Sequence, residues 1–393
     1  MKIALNGCGI AGPALAYWLH RFGHEPVLFE AAPAQRKGGY LIDFWGYGYD
    51  IAEKMGLRDG LHAQGYAVEH LRTLNARGRQ TTHLDASTFS MLTAGRYMSI
   101  ERSALAALVF EACGDVETRF STSVIGFRQD RQGVDVTLST GEERRFDLLI
   151  GTDGLHSKVR QLGFGPSAEF ERDLGLRVGA FTLGGYQPRD ELTFLSHSLP
   201  GRQLNRISLR DDKTLFMFIT NRSYVDTLPT DEAGQKAALR HAFGDMRWEA
   251  PAALAGMDSV YDIYFDSLSQ VVMPDWHNGR VAVLGDAAAC ASLLAGEGSS
   301  LAMLSAYVLA GELHRTDGDH HAAFVRWQAQ IMPLVSAKQV AAKRFSSFFC
   351  PPNWRALWLR DMATRACTVP FLARKFIGPM FETDFKPDDY TQL

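Results

Sequence analysis

Six residues near the start, Gly7-Cys8-Gly9-Ile10-Ala11-Gly12, constrain this chain more than any other feature. They follow the short apolar run Lys2–Asn6, which suits a buried strand, and they open a helical pattern. In that setting G-x-G-x-x-G permits a tight turn, close approach of backbone to a pyrophosphate, and close packing of helix on strand. Gly7, Gly9, Ile10, Ala11 and Gly12 are expected to cradle the phosphates of a dinucleotide at the helix N-terminus. Pro13 suits the first helical turn, where its missing N–H costs nothing. Leu15, Trp18, Leu19 and Phe22 then repeat at the spacing of one buried helical face, and Gly23 supplies the stop. Pro26–Phe29 reads as a second buried strand ending at Glu30, whose carboxylate is placed to hydrogen-bond an adenosine ribose. Strand, turn, helix and strand make a βαβ unit and hence a parallel sheet. An acid at Glu30 argues against a 2′-phosphate in this site; position alone does not separate FAD from NAD.

At 393 residues the chain has room for more than one packed unit. Val134–Ser139, the turn Thr140-Gly141 and Phe146–Ile150 read as a hairpin leading into Gly151-Thr152-Asp153-Gly154. From about Gly165 to Trp276 the pattern changes. Gly175–Leu183, Leu192–His197, Leu204–Leu209 and Thr214–Thr220 are short β-rich runs divided by Gly, Pro and Asp, which predicts an antiparallel sheet. Strands between Val68 and Ser99 are expected to join it. Arg280–Leu284 returns to a buried strand, and Ser300–Leu313 is apolar on nearly every face, as for a helix deep inside the first unit. The fold class expected is α/β with an α+β second domain. A Rossmann-like dinucleotide-binding domain takes 1–67, 100–165 and 277–325, and an antiparallel-sheet substrate domain takes 68–99 and 166–276. Residues 326–393 form an aromatic-rich C-terminal helical segment containing Trp354, Leu357, Trp358, Phe371 and Phe376.

Composition removes several function classes. Lys and Arg number 41 against 44 Asp and Glu, a net charge of −3, and no basic arm or stripe marks a nucleic-acid partner. The five cysteines, Cys8, Cys113, Cys290, Cys350 and Cys367, are odd in number and include no C-x-x-C. A disulfide framework and a zinc module are therefore not expected, and a reducing cytoplasm is the natural setting. No run approaches the roughly 20 apolar residues that span a bilayer, so no integral membrane segment is expected.

Two later motifs decide the cofactor. Asp153-Gly154-x-x-Ser157-x-Val159-Arg160 lies mid-chain and Gly285-Asp286-Ala287-Ala288 lies late. With Gly7–Gly12 these occur in the order and at the separations of the para-hydroxybenzoate hydroxylase-like FAD-dependent aromatic hydroxylases, which the chain resembles over roughly residues 1–320. Asp286, after a buried strand, can accept hydrogen bonds from a flavin's ribityl chain. Gly296 and Gly298 precede the buried helix, whose N-terminus would stabilise the anion on the pyrimidine edge of a reduced flavin. The resemblance implies further FAD contacts at Arg36, Asp43, Arg102, the backbone at Val124, Asp153, Arg160 and Gly285. Ala289 and Leu293 depart from the family's usual His and Pro, which puts flavin positioning and oxygen chemistry in question but not FAD binding.

The resemblance implies an FAD-dependent monooxygenase that consumes NADPH or NADH as a transient donor. It would hydroxylate an aromatic or polyketide-like ring-containing small molecule with O2, through a flavin C4a-hydroperoxide. Tetracycline-inactivating flavin monooxygenases share the chain length, the Gly-Gly-x-x-x-Asp stretch and the helical tail. An FAD dehydrogenase or oxidase without oxygen insertion, and a non-enzymatic flavoprotein, are the other readings. Phe44, Trp45, Phe181, Arg206, Phe216 and Phe218 are expected by position to line the substrate pocket, and no protein acid or base is assigned. No second G-x-G-x-x-G follows Gly12, so the nicotinamide donor is expected to dock in a surface groove between the domains, with Arg160 a candidate contact. His314-x-x-Asp317-x-Asp319-His320-His321 lacks metal-ligand spacing and reads as a solvated turn. The protein is expected to be a monomer or a homodimer.

Overall fold

The computed structural model describes residues 1–35, 38–85, 93, 95–369, 371, 372, 375 and 385–392. Arg36 and Phe376 lie outside the described residues.

The first unit opens as expected, with β1 (Lys2–Asn6), α1 (Ala11–Arg21) and β2 (Glu25–Phe29). Then come β3 (Leu41–Trp45), α2 (Gly46–Lys54) and α3 (Arg58–Gln64). β4 (His70–Leu74) and β5 (Gln80–Asp85) depart to the second sheet before β6 (Tyr97–Glu101) returns. α4 (Arg102–Glu111), β7 (Glu117–Arg119), β8 (Val124–Gln129), β9 (Val134–Leu138), β10 (Glu143–Phe146), β11 (Leu148–Gly151) and α5 (Lys158–Gly163) follow. The second sheet is completed by β12 (Glu171–Gly184), β13 (Thr193–Leu199), β14 (Arg202–Ser208), β15 (Lys213–Asn221) and, after α6 (Glu232–Phe243) and α7 (Ala250–Gly256), β16 (Tyr264–Val271). The chain closes through β17 (His277–Asn278), β18 (Val281–Val283), α8 (Gly298–Arg315), α9 (His320–Phe349) and α10 (Trp354–Ala366).

The first sheet runs β17-β18-β11-β1-β2-β7, parallel except at the β17 edge. Helices cover it, so its central strands are buried on both faces and read as plain apolar runs. The hairpin prediction was half right. β9 pairs back onto β10, whereas Leu148–Gly151 leaves it and enters the parallel sheet beside β1. The boundary is Asp147, whose carboxylate accepts the N–H of Lys2 at 2.7 Å.

α8 is buried from Ser300 to Leu313, as its unbroken apolar pattern requires. Leu301, Leu304, Leu309 and Leu313 lie at or near full burial, each stabilising by about 1.5–3 kcal/mol. Two glycines set how closely its neighbours approach. A Cβ on Gly48 of α2 would lie 2.5 Å from Ser300, and one on Gly311 would lie 2.1 Å from the ring of Tyr390. His314 ends α8 stacked on Phe22, and Asp319 caps α9, so the histidine-rich turn is spent on packing and capping.

The second sheet runs β16-β12-β15-β14-β13-β4-β5. It is antiparallel as predicted except where β4 meets β13 in parallel. β6 does not join it: it pairs with β3 as a separate ribbon, which places Asp43 opposite Ser99 and Trp45 opposite Tyr97. One face of the sheet lies under α6 and α7. The other carries Val178, Ala180, Leu215, Met217 and Ile219 against Tyr40, Leu41, Tyr66, Leu293 and Leu294 of the first unit.

Candidate functional site

The site begins where β1 ends. Gly7 has φ +118°, a conformation that favours glycine, and its N–H donates to the carbonyl of Phe29 at 2.8 Å. A Cβ on Gly12 would sit 2.0 Å from the carbonyl oxygen of Gly7 and 2.8 Å from Oγ1 of Thr152. Gly9 differs: the nearest atom to its Cβ position is Nη2 of Arg102, 4.0 Å away. The turn is thus closed by backbone on one side and faced by a guanidinium on the other. Among the described residues that guanidinium makes no side-chain hydrogen bond or ion pair, its charge reaches Tyr40 and Tyr264, and Arg102 is exposed. A free arginine beside free helix-terminal N–H groups is a fitting place for a pyrophosphate. Glu30 holds the same turn: its carboxylate accepts N–H groups from Cys8 at 2.8 Å and Ala32 at 2.9 Å.

The middle motif supports the turn from below. Asp153 accepts from the Asn6 side chain at 3.0 Å, from the Ser157 hydroxyl, and from the N–H groups of Lys158 and Val159 at the start of α5. Asn6 in turn accepts the N–H of Val124 at 2.9 Å, so that N–H is spent within the protein and is not a free ligand contact. Arg160 also departs from expectation. Its guanidinium is fully buried and donates to the carbonyls of Ala287 (3.0 Å) and Leu155 (2.7 Å) and to Glu171 (2.5 Å). It cannot line a surface groove for a nicotinamide donor. It ties α5 to the turn bearing Asp286.

Beyond the turn, the loops around Asp286 lie between it and the second sheet. Gly285 (φ +66°) and Gly296 (φ +68°) shape the loops around Asp286, and the Cβ position of Gly298 is 3.7 Å from Asp286 Oδ1. The N–H groups of Gly298, Ser299 and Ser300 precede the first intrahelical bond of α8, which Leu301 makes to Glu297. Asp43 accepts from the hydroxyls of Ser99 (2.6 Å) and Tyr97 (2.8 Å). Tyr40 and Tyr264 meet with ring centroids 5.0 Å apart. Asp43, Tyr40 and Tyr264 all retain solvent access, yet burial pushes the carboxyl up, Tyr40 up to about 12 and Tyr264 well above the usual phenol range. The Ser99 and Tyr97 hydroxyls pull Asp43 part of the way back.

These groups fit an extended dinucleotide, with anion-binding groups at one end and the Tyr40–Tyr264 pair and Trp45 at the other. Replacing Asp286 by alanine is expected to weaken FAD binding by roughly 1.5–3 kcal/mol, about tenfold to over a hundredfold. Arg102→Ala should cost less, because the N–H groups of the turn still hold the phosphates. Equal FAD dissociation constants for the two variants, measured by flavin fluorescence, would refute that order.

The structure does not bring the predicted substrate residues together. Phe181, Phe216 and Phe218 lie on the helix-covered face of the second sheet, packed with Leu239, Phe243 and Met246. Arg206 shares that face, buried against Asp190, Glu249 (2.9 Å) and the carbonyl of Pro188 (2.6 Å). Phe44 points into the core of the first unit. Trp45 alone of the six reaches the loops around Asp286, with Cη2 3.3 Å from the Cβ position of Gly296. Sequence reasoning missed Tyr40, Tyr264, Tyr97 and Asn6. Only Asn6, directly before Gly7, left a local signal.

His156 bridges the two units, with Nε2 3.3 Å from Asp266 and Nδ1 3.7 Å from Glu171. The hydrogen bond to Asp266, then the charges of Asp266 and Glu171, raise its pKa from 6.5. Its contribution to stability is therefore complete below pH 6.5 and is lost as pH rises through the folded value. Thermal melts of His156→Gln should fall below the parent at acidic pH and converge with it at alkaline pH; a constant gap would contradict this bridge.

Residues 2–317 match the FAD binding domain family. A flavin-dependent monooxygenase from an unknown prokaryotic organism is 35% identical over 339 residues, covering 86% of this chain and 87% of that protein. A flavin-dependent monooxygenase of Legionella longbeachae serogroup 1 (strain NSW150) is 34% identical over 347 residues, covering 86% and 87%. Among solved structures, tetracycline destructase Tet(51) superposes with a TM-score of 0.82 at 30% identity, covering 98% of this chain and 99% of that one. Klebsiella pneumoniae HpxO complexed with FAD and uric acid shares the fold, with a TM-score of 0.81 at 21% identity over 97% and 96%.

Proposed function

The chain belongs to the FAD-binding-domain family of flavin-dependent monooxygenases, and from that premise we propose that it consumes NADH or NADPH to oxygenate a ring-containing small molecule. The observation that carries the reading is the grouping around Asp286: Tyr40 and Tyr264 pair within reach of its charge and that of Arg102, Trp45 lies against Gly296, and the N-terminal N–H groups of α8 begin beside Asp286 at Gly298. Bound FAD would supply the redox chemistry, accepting a hydride from the donor and activating O2, with one oxygen atom going to substrate and the other to water. The protein's work is binding and exclusion. Gly7–Gly12 and Arg102 would hold the pyrophosphate, Asp286 would accept from the ribityl hydroxyls, and the α8 N-terminus would favour negative charge at the pyrimidine edge. Tyr40, Tyr264 and the apolar sheet face at Met217 and Ala180 exclude water from the reacting end. The division at 1–67, 100–165 and 277–325 for FAD, and 68–99 with 166–276 for substrate, belongs to this reading.

Whole-chain likeness to Tet(51), and to Tet(55) at 31% identity and a TM-score of 0.81, favours a fused multi-ring substrate of the tetracycline type. The test is oxygen uptake driven by NADH or NADPH with labelled O2, using tetracycline and simpler phenols. We expect yellow protein, flavin reduction accelerated by an accepted substrate, no nicotinamide retained through gel filtration, and label in the product. Complete release of the oxygen as hydrogen peroxide, with every ring compound unlabelled, would make the protein an oxidase instead.

A further inference from the structure

Charge is unevenly placed along this chain. Residues 331–380 hold eight Lys and Arg against Asp361 alone, a net +7, while the remainder holds 33 basic and 43 acidic residues, a net −10. Within that basic stretch α10 turns an apolar face to solvent. Trp354, Trp358 and Met362, four residues apart on one side of the helix, are 60%, 63% and 43% exposed, and Leu359 beside them is 60% exposed. The helix cannot roll to bury them, because its opposite side is anchored. Leu357 is buried there, and the buried Arg360 donates to Ser198 at 3.0 Å and Gln203 at 3.3 Å. Arg355 and Arg365 on the same helix, and Lys343 and Arg344 near the end of α9, are exposed. A contiguous face of this kind marks an interaction surface.

We propose that α10 is an in-plane docking face for an anionic phospholipid surface. Tryptophans flanked by exposed cations suit the headgroup boundary, where the rings enter the interface and the cations meet lipid phosphates. A second copy of the chain is the poorer occupant, since an isologous contact would set this basic region against itself. No helix among the described residues is long and apolar enough to cross a membrane, so the contact lies along the surface. Docking there would place the protein where apolar ring compounds concentrate. The inference does not depend on the oxygenation chemistry proposed above.

The test is co-sedimentation of the FAD-loaded protein with vesicles of phosphatidylcholine alone and of phosphatidylcholine with phosphatidylglycerol, at low and high salt. Binding should require the anionic lipid and weaken with salt. Trp354→Ser with Trp358→Ser should weaken it at least about tenfold, and Arg355→Gln with Arg365→Gln about fivefold for each cation removed. Unchanged flavin absorbance and melting confirm that these surface variants fold. Three results would overturn the proposal. One is no binding to anionic vesicles at low salt, and another is affinity unaltered in both variants. The third is a dimer, seen by light scattering, that the tryptophan substitutions dissolve.

Discussion

Gly12→Val should yield a colourless protein whose affinity for added FAD has fallen at least about a hundredfold, or about 2.7 kcal/mol. The first atom of any side chain at this position would lie 2.0 Å from the Gly7 carbonyl and 2.8 Å from Thr152 Oγ1. The hydroxyl of Thr152 donates to the Gly7 carbonyl at 2.9 Å and to that of Asn6 at 3.1 Å, so neither obstacle is a flexible chain end. The turn must open, which costs about 1–3 kcal/mol of overpacking and moves the N–H groups that face the phosphates. Gly9→Ala is the informative companion. Its Cβ meets nothing closer than Arg102 at 4.0 Å, so the apoprotein should melt as the parent does while FAD binding weakens. Flavin fluorescence titration and apoprotein melting separate the two effects. Parental FAD occupancy in Gly12→Val would remove the dinucleotide from this turn.

Arg160→Leu should destabilise the protein by about 3–5 kcal/mol, the cost of breaking a buried ion pair from one side. Its guanidinium is fully buried, while Glu171 is 22% exposed and would lose its nearest partner at 2.5 Å, keeping His156 at 3.7 Å. Removing the carboxylate as well, in Arg160→Leu with Glu171→Leu, should recover part of that loss, because the carboxylate no longer stands half-buried against an apolar side chain. FAD affinity should fall in the single variant through Ala287, whose carbonyl Arg160 holds at 3.0 Å beside Asp286. Denaturant unfolding, followed by flavin release, reads both quantities. A single variant as stable as the parent would mean that Arg160 neither locks the interface nor positions Asp286.

The candidate site was legible where its geometry is local. The Gly7–Gly12 turn, Asp286 and the Gly296–Gly298 entry to α8 each sit at a junction of strand, turn and helix that a few adjacent residues define. Substrate-side residues were not legible in the same way. Alternation along β12 and β15 separates Phe181, Phe216 and Phe218 from Ala180, Leu215 and Met217, but both sets are apolar because both faces of the sheet are covered. Nothing in a period of two says which face meets a helix and which meets the first unit.

By itself the sequence determined the βαβ start, the close glycine turn, the buried α8 and the membership of the flavin monooxygenase family. Each follows from short-range constraints: backbone sterics at glycine, helical periodicity, and the ordered spacing of motifs. Only the tertiary structure decided that β11 leaves its hairpin for the parallel sheet, and that Arg160 is an internal tie rather than a surface contact. It also decided that Tyr40 and Tyr264, remote in sequence, stand together where the first unit meets the second sheet. Those outcomes depend on which elements pack against one another, and that choice is made by burial summed over the whole chain. No local pattern records it, because the same residue types satisfy either arrangement until the opposing surface is in place.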